Sequence, residues 1–391
     1  MNLEAAKDVM FATHKAALML GVRASAIELE SGPGVGKSSA VWQLCQRMSA
    51  ELNVNVGLVT RMLATLQSVD LQGFMIPLPR PPGRPLTYFS VPPWMPTDQT
   101  CTVFTPAGEV IRPPLPQDMP IPEIGILFLD EYGQAEIEIQ KASAPLILSG
   151  EIGADRLPEP GWRVIMASNR MKDRSGVQRR LAFLTNRRML LPVSATYSCF
   201  EDYCNGLPEQ HRPHHMVMSF ANTNTGIVFR EEVPPGDDPF CTPRSLLAMD
   251  RDLRSLRTKE DVTQDALPTD MIAREVIAGH IGPGEGAQFM THLKYHGELA
   301  AIEDIVRDPA GAKLGAREDV QLVTAFMLSH HVSARNCKSI LQYMRRMEVE
   351  LQVVTMRQIN NTAEKASVVM NTKEAVDWLL KYRDLLVASH A

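Results

Sequence analysis

No apolar run in the sequence reaches the roughly 18 residues that a membrane-crossing helix needs, so no spanning segment is expected. Its first residues, Met1-Asn2-Leu3-Glu4-Ala5-Ala6-Lys7, lack the apolar core of a secretory signal. Positive charge is not in excess: 40 Lys and Arg face 45 Asp and Glu, a net charge of −5. That balance argues against nucleic acid or a membrane surface as the principal partner. Cysteine is sparse, six scattered through 391 residues, which is the usage of a reducing compartment rather than of a disulfide scaffold. Internal repeats and low-complexity tracts are absent. These absences leave a soluble, untargeted, cytoplasmic protein as the expectation, and the length makes it two or three domains.

What is present begins with Ser31-Gly32-Pro33-Gly34-Val35-Gly36-Lys37-Ser38-Ser39. The run Ala26-Ile27-Glu28-Leu29-Glu30 ahead of it reads as a strand, and Ser38 to Leu44 after it as a helix. Glycines between a strand and a helix let backbone amides converge on phosphates. Lys37 is placed to reach the β/γ-phosphates and the Ser38 hydroxyl to ligate Mg²⁺. Gly32, Pro33, Gly34, Val35, Gly36, Lys37, Ser38 and Ser39 are therefore the candidate nucleotide-binding residues. The phosphate-loop pattern departs at one place, where Ser31 stands in for its first glycine.

Further strands are expected at Asn55–Thr60, Gly125–Leu129, Arg163–Ala167 and Met189–Val193, with helices between them. Continuous apolar runs alternating with helical patterns indicate a parallel α/β sheet, here of five strands. Residues 68–122 interrupt this pattern with crowded Pro and Gly, and a hairpin is expected near Thr102-Val103-Phe104 and Val110-Ile111. An insertion this long is functional or disordered, and Phe74, Tyr88, Phe89 and Trp94 favour an ordered, functional one. After residue 193 the strand signal fades, and helices are expected at 194–205, 243–257, 268–280, 284–304, 317–331, 334–350 and 372–388. The expected organisation is an α/β core over 1–193, a helical segment over 194–305 and a C-terminal helical region over 306–391.

The strand Gly125–Leu129 ends on Asp130-Glu131. Triphosphate hydrolysis needs one carboxylate to hold Mg²⁺ and a second group to orient or deprotonate water. Because parallel sheets bind ligands at the carboxyl ends of their strands, Asp130 and Glu131 are expected beside the phosphate loop. Asn169 follows another buried strand, where a polar side chain can sit between the γ-phosphate and the attacking water; an Asn in isolation often just opens a turn, but its position relative to the other two strands favours the functional reading.

Together these motifs resemble those of the AAA+ ATPases, and within them the MoxR-type branch, over residues 26–305. By that resemblance Lys37 and Ser38 fall on Walker A, Asp130 and Glu131 on Walker B, and Asn169 on sensor 1. Asp173-Arg174-Ser175-Gly176-Val177 with Leu184-Thr185-Asn186-Arg187-Arg188 resembles the segment that ends in an arginine finger, which leaves Arg187 and Arg188 both open. Arg179 and Arg180 are weaker alternatives. Cys241-Thr242-Pro243-Arg244 resembles the start of the sensor 2 helix, with Arg244 the sensor. The resemblance implies a P-loop NTPase core followed by an all-helical lid, ATP and Mg²⁺ as cofactors, and a homo-oligomeric ring, most often a hexamer. It further implies chaperone-like remodelling of a protein client, with a von Willebrand A-domain protein as partner. The rival reading is a nucleic-acid motor or loader, as in other AAA+ branches.

Weaker signals complete the sequence. Cys199, Cys204, His211 and His214 offer zinc ligand types, at a spacing foreign to common zinc fingers; core cysteines beside a polar His loop are the simpler expectation. His330-His331 is expected to be half-exposed on a helix. Arg335, Lys338, Arg345 and Arg346 are read as the solvated face opposite Ile340, Leu341, Met344 and Met347.

Overall fold

Among the described residues, the β-rich runs of the first half form eleven strands: β1 Ile27–Ser31, β2 Val56–Met62, β3 Met75–Leu78, β4 Leu86–Phe89, β5 Thr102–Phe104, β6 Val110–Ile111, β7 Ile124–Asp130, β8 Glu151–Ile152, β9 Asp155–Arg156, β10 Trp162–Asn169 and β11 Met189–Pro192. The structure is a computed structural model that describes residues 1–78, 86–173, 175–178 and 182–388. Its chain divides into two units, Met1–Ala195 with Glu231–Val233, and Thr196–Arg230 with Pro234–Ala391.

In the first unit the main sheet runs β11-β1-β10-β7-β2-β5-β6. The first five of these are parallel, and β5 and β6 extend the edge antiparallel. The five expected parallel strands are all there, and the insertion adds the other two. Continuous burial along β1, β7 and β10 explains their unbroken apolar composition. Trp162, Gly125 and Gly57 stand in register across β10, β7 and β2. The indole of Trp162 lies over both glycines: a Cβ at Gly57 would come within 2.7 Å of it and one at Gly125 within 2.5 Å. Its Nε1 donates to the Pro122 carbonyl oxygen at 2.9 Å. Helix α1, Leu3–Met19, is tied to the sheet by buried Arg163, which donates to Ser25 O (2.7 Å), Met10 O (3.0 Å) and Thr13 Oγ1 (2.8 Å).

The insertion is largely ordered. A short helix, Ser68–Gln72, leads into the antiparallel β3–β4 pair, and residues 79–85, including Pro79, Pro81, Pro82, Gly83 and Pro85, lie outside the described residues. Trp94 is fully buried and donates to Leu71 O at 2.7 Å, which anchors the base of the pair. The arms carry exposed apolar side chains, with Phe74 at 64% and Phe89 at 48% exposure.

Among the described residues, all regular elements of the second unit are helices. Helix Glu318–His331 is buried along most of its length and packs against His215–Thr223 and Val349–Asn360. The boundary expected at residue 305 lies inside this unit. The single helix expected over 284–304 is instead Pro283–Leu293, a 3₁₀ turn Lys294–Glu298, and then Ile302–Arg307. Helix His215–Thr223 had no counterpart among the expected helices. Residues His215 to Ala221 are all buried, although His215, Ser219, Asn222 and Thr223 recur at the i, i+4, i+7, i+8 spacing of a helix.

Candidate functional site

Ser31 ends β1 in register with Asn169 at the end of β10, which sets the geometry of the loop that follows. Ser31 does not need the backbone freedom of glycine, because the left-handed positions of the loop fall at Gly34 (φ 72°) and Gly36 (φ 104°). Its hydroxyl donates to Gly32 O at 2.8 Å and accepts from Lys37 Nζ at 2.9 Å. A Cβ at Gly32 would lie 3.1 Å from the Arg170 guanidinium, a tight contact that the arginine would have to yield to. Gly36 caps helix α2, Lys37–Leu52, with no side chain over its first turn and no acidic residue within it. Such a helix start is a binding site for anionic oxygens.

Three parallel strands bring their carboxyl ends together here. The Lys37 ammonium donates to Asn169 Oδ1 at 2.8 Å as well as to Ser31 Oγ and, at 3.1 Å, Gly32 O. The Ser38 hydroxyl donates to Asp130 Oδ2 at 2.7 Å, and Asp130 Oδ1 accepts the Glu131 N–H at 2.9 Å. Because β10 lies between β1 and β7, Asn169 sits between the loop and the acidic pair. Glu131 is half-buried with φ 54°, a conformation rare outside glycine, and opens the 3₁₀ turn Tyr132–Gln134. That backbone turns the chain sharply at the strand end, and outliers of this kind cluster at functional sites. Ser38 and Asp130 supply hard oxygens close together, the donor set that Mg²⁺ takes alongside water and phosphate.

The arginines separate. Arg188 forms an ion pair with Glu28 of β1, and the two side chains are only 3% and 1% exposed. Arg187, next to it, is exposed. Arg174, Arg179 and Arg180 lie outside the described residues. Arg244 belongs to the second unit and is exposed in the first turn of helix Pro243–Ser255, which Thr242 and Ser245 close with a capping box.

One pair by the loop had no separate role in the sequence reading. Arg170 is held bidentately by buried Asp173, with Nε to Oδ2 and Nη2 to Oδ1 both at 2.9 Å, and also donates to Glu231 O. The Asn-Arg-x-x-Asp spacing was the available signal. The zinc set suggested by Cys199, Cys204, His211 and His214 does not come together among the described residues. Both cysteines are buried, Cys199 accepts from Thr196 Oγ1, and His211 is exposed.

No family model matches the sequence, and no curated protein matches it. Among solved structures, the chain is similar to a proline-to-glycine mutant of RuvB from Thermotoga maritima. The identity is 12% and the TM-score 0.37, over 80% of this chain and 77% of that one. It is also similar to a Drosophila ORC structure bound to poly(dA/dT) DNA and Cdc6. There the identity is 12% and the TM-score 0.33, over 99% of this chain and 66% of that one. Overlaps this loose leave the chemistry to this chain's own residues. Among the described residues, no helix is long and apolar enough to cross a membrane.

Proposed function

We propose that this chain is an ATPase of the AAA+ class, of the MoxR-type branch, that works as a ring, most often a hexamer, and remodels a protein client together with a von Willebrand A-domain partner. The observation that carries the ATPase reading is the convergence of Lys37 with Asn169 and of Ser38 with Asp130 at one sheet edge. Residues 32–39 are proposed to hold the phosphates through loop amides and Lys37, and Ser38 and Asp130 to hold Mg²⁺. The metal, when bound, neutralises charge on the β- and γ-phosphate oxygens. Glu131 orients or deprotonates the attacking water, and Asn169 fixes it against the phosphate side. Arg187 is proposed as the finger offered to a neighbouring subunit, since Arg188 is committed to Glu28 within its own chain. The exposed apolar arms of the β3–β4 pair are the proposed partner-facing element.

The test is ATP hydrolysis and nucleotide binding by wild type, Lys37→Ala and Glu131→Gln. Lys37→Ala should lose nucleotide binding. Glu131→Gln should bind ATP normally and turn over roughly 10²–10⁴-fold more slowly. Wild-type turnover in both variants would remove the assignment. Stimulation of hydrolysis by DNA at moderate salt, in place of stimulation by protein, would move the chain to the nucleic-acid motors.

A further inference from the structure

The second unit gathers five of the chain's ten histidines around one carboxylate. Asp265 ends helix Lys259–Gln264 with φ 48°, a left-handed conformation that aims its side chain inward. His331 Nε2 lies 2.8 Å from Asp265 Oδ2, His215 Nδ1 3.3 Å from the same oxygen, and His214 Nε2 3.4 Å from Oδ1. His296 Nε2 contacts the Asp265 carbonyl oxygen at 3.0 Å, and the His330 ring centroid lies 6.1 Å from that of His215. Arg257 donates to Asp265 Oδ1 at 3.0 Å.

Two features of this cluster go beyond hydrogen bonding among side chains. His215 is 2% exposed; its Nδ1 faces the Asp265 carboxylate at 3.3 Å, while its Nε2 makes no hydrogen bond. A buried ring nitrogen without a partner is costly unless something else engages it. His214 Nε2 contacts the Asp265 carbonyl oxygen at 3.0 Å, whereas the separations of His214 and His215 from the Asp265 carboxylate are long for an N–H···O bond. They match the spacing of about 3.3 Å between two ligand atoms that share a tetrahedral ion at zinc-like bond lengths.

We propose that His214, His215 and Asp265 bind a divalent first-row transition-metal ion, zinc being the best match, with His331 hydrogen-bonded to the carboxylate from outside the ligand set. The three ligand atoms already lie within 4.8 Å of one another. Two imidazoles with one carboxylate is a zinc-type donor set and not one for Mg²⁺ or Ca²⁺. The ion joins the start of helix His215–Thr223 to the turn at Asp265, and so fastens two separate segments of the unit. Arg257 holds the carboxylate in place from outside the ligand set. Coordination through His214 Nε2 puts the ring proton on Nδ1, so the 3.0 Å donation from Nε2 to the Asp265 carbonyl oxygen and the 3.2 Å contact from the Met216 N–H to Nδ1 are both given up when the ion binds. The site is independent of the ATPase assignment.

The experiment uses untagged full-length protein, exchanged into zinc-containing buffer, desalted, and measured by metal analysis. About one zinc per chain is expected in the wild type. Asp265→Asn, in which Asn tolerates the left-handed backbone, and His215→Gln should each hold less than about a tenth as much. Arg257→Gln should weaken zinc roughly 10–100-fold. Cobalt(II) in the wild type should give the visible absorption of a tetrahedral N/O site without a thiolate-to-cobalt charge-transfer band, a result that does not depend on any variant folding. Circular dichroism checks the variants. A zinc-free wild type, undiminished zinc in folded Asp265→Asn and His215→Gln, or a thiolate band placing the ion on Cys199 or Cys204 would each overturn the proposal.

Discussion

Replacing Arg188 and Arg187 one at a time separates the buried, ion-paired arginine from the proposed finger in adjacent positions. Arg188→Ala strips the guanidinium from a Glu28 carboxylate that is 1% exposed and lies inside β1, the strand that carries the phosphate loop. Breaking a buried ion pair by removing one partner costs about 3–5 kcal/mol. For a unit of this size each kcal/mol lowers the melting temperature by about 2–4 °C, so the variant should melt roughly 6–20 °C below wild type. Arg187→Ala removes an exposed side chain and should leave stability within about 0.5 kcal/mol. Its effect should instead be on turnover, lost by a factor on the order of 10³ or more if it serves as an arginine finger. Because a finger acts on a neighbour's nucleotide, mixing Arg187→Ala with Lys37→Ala chains should restore part of the hydrolysis that neither shows alone. Calorimetry and a phosphate-release assay on the two variants and the mixture give the answer. If Arg188→Ala melts like wild type and is the variant rescued by mixing, the assignment is reversed and the reasoning from burial fails.

Two more outcomes follow from the first unit. His14 is the only histidine within residues 1–195, is buried, and is held neutral by desolvation, its pKa lowered to about 4 while its Nε2–H donates to Gly161 O. A folded-state pKa below the unfolded value of about 6.5 leaves stability intact above pH 6.5 and erodes it as the pH falls, by about 2 kcal/mol at pH 5. Tryptophan-monitored melts from pH 8 to 5 should therefore steepen in wild type relative to His14→Gln, and superimposable profiles would contradict this. On the β3–β4 pair, Phe74→Ser combined with Phe89→Ser should leave basal hydrolysis and melting unchanged and abolish stimulation by the protein that Glu131→Gln retains in a pull-down with ATP; full stimulation would remove the pair from the partner surface.

The parts of the candidate site legible in the sequence are those whose signal is local. Lys37, Asp130, Glu131 and Asn169 each follow a short apolar strand, and parallel pairing delivers strand ends to one edge. The same holds for the sheet, since β1, β2, β7, β10 and β11 are continuous apolar runs. What the sequence hid depends on contacts between distant segments. Nothing near Arg188 announces that Glu28 will meet it. His214 was weighed with Cys199, Cys204 and His211, its neighbours along the chain, whereas its partners in space are His215 and Asp265. Ser31 looked like a flaw in the loop because the pattern asks for glycine there. The extended backbone at the end of β1 shows that the position never uses glycine's freedom, and its hydroxyl holds Lys37.

The Trp162 indole bears on how this sheet can vary. It occupies the room left by Gly57 and Gly125 on two neighbouring strands, so the three positions behave as a single unit of substitution. A side chain at either glycine collides with the ring, and a smaller residue at 162 opens a void that neither glycine can fill. Homologous chains are therefore expected to keep the trio whole or exchange it together, which makes correlated change at 57, 125 and 162 a sequence fingerprint for this sheet even where the phosphate loop has drifted.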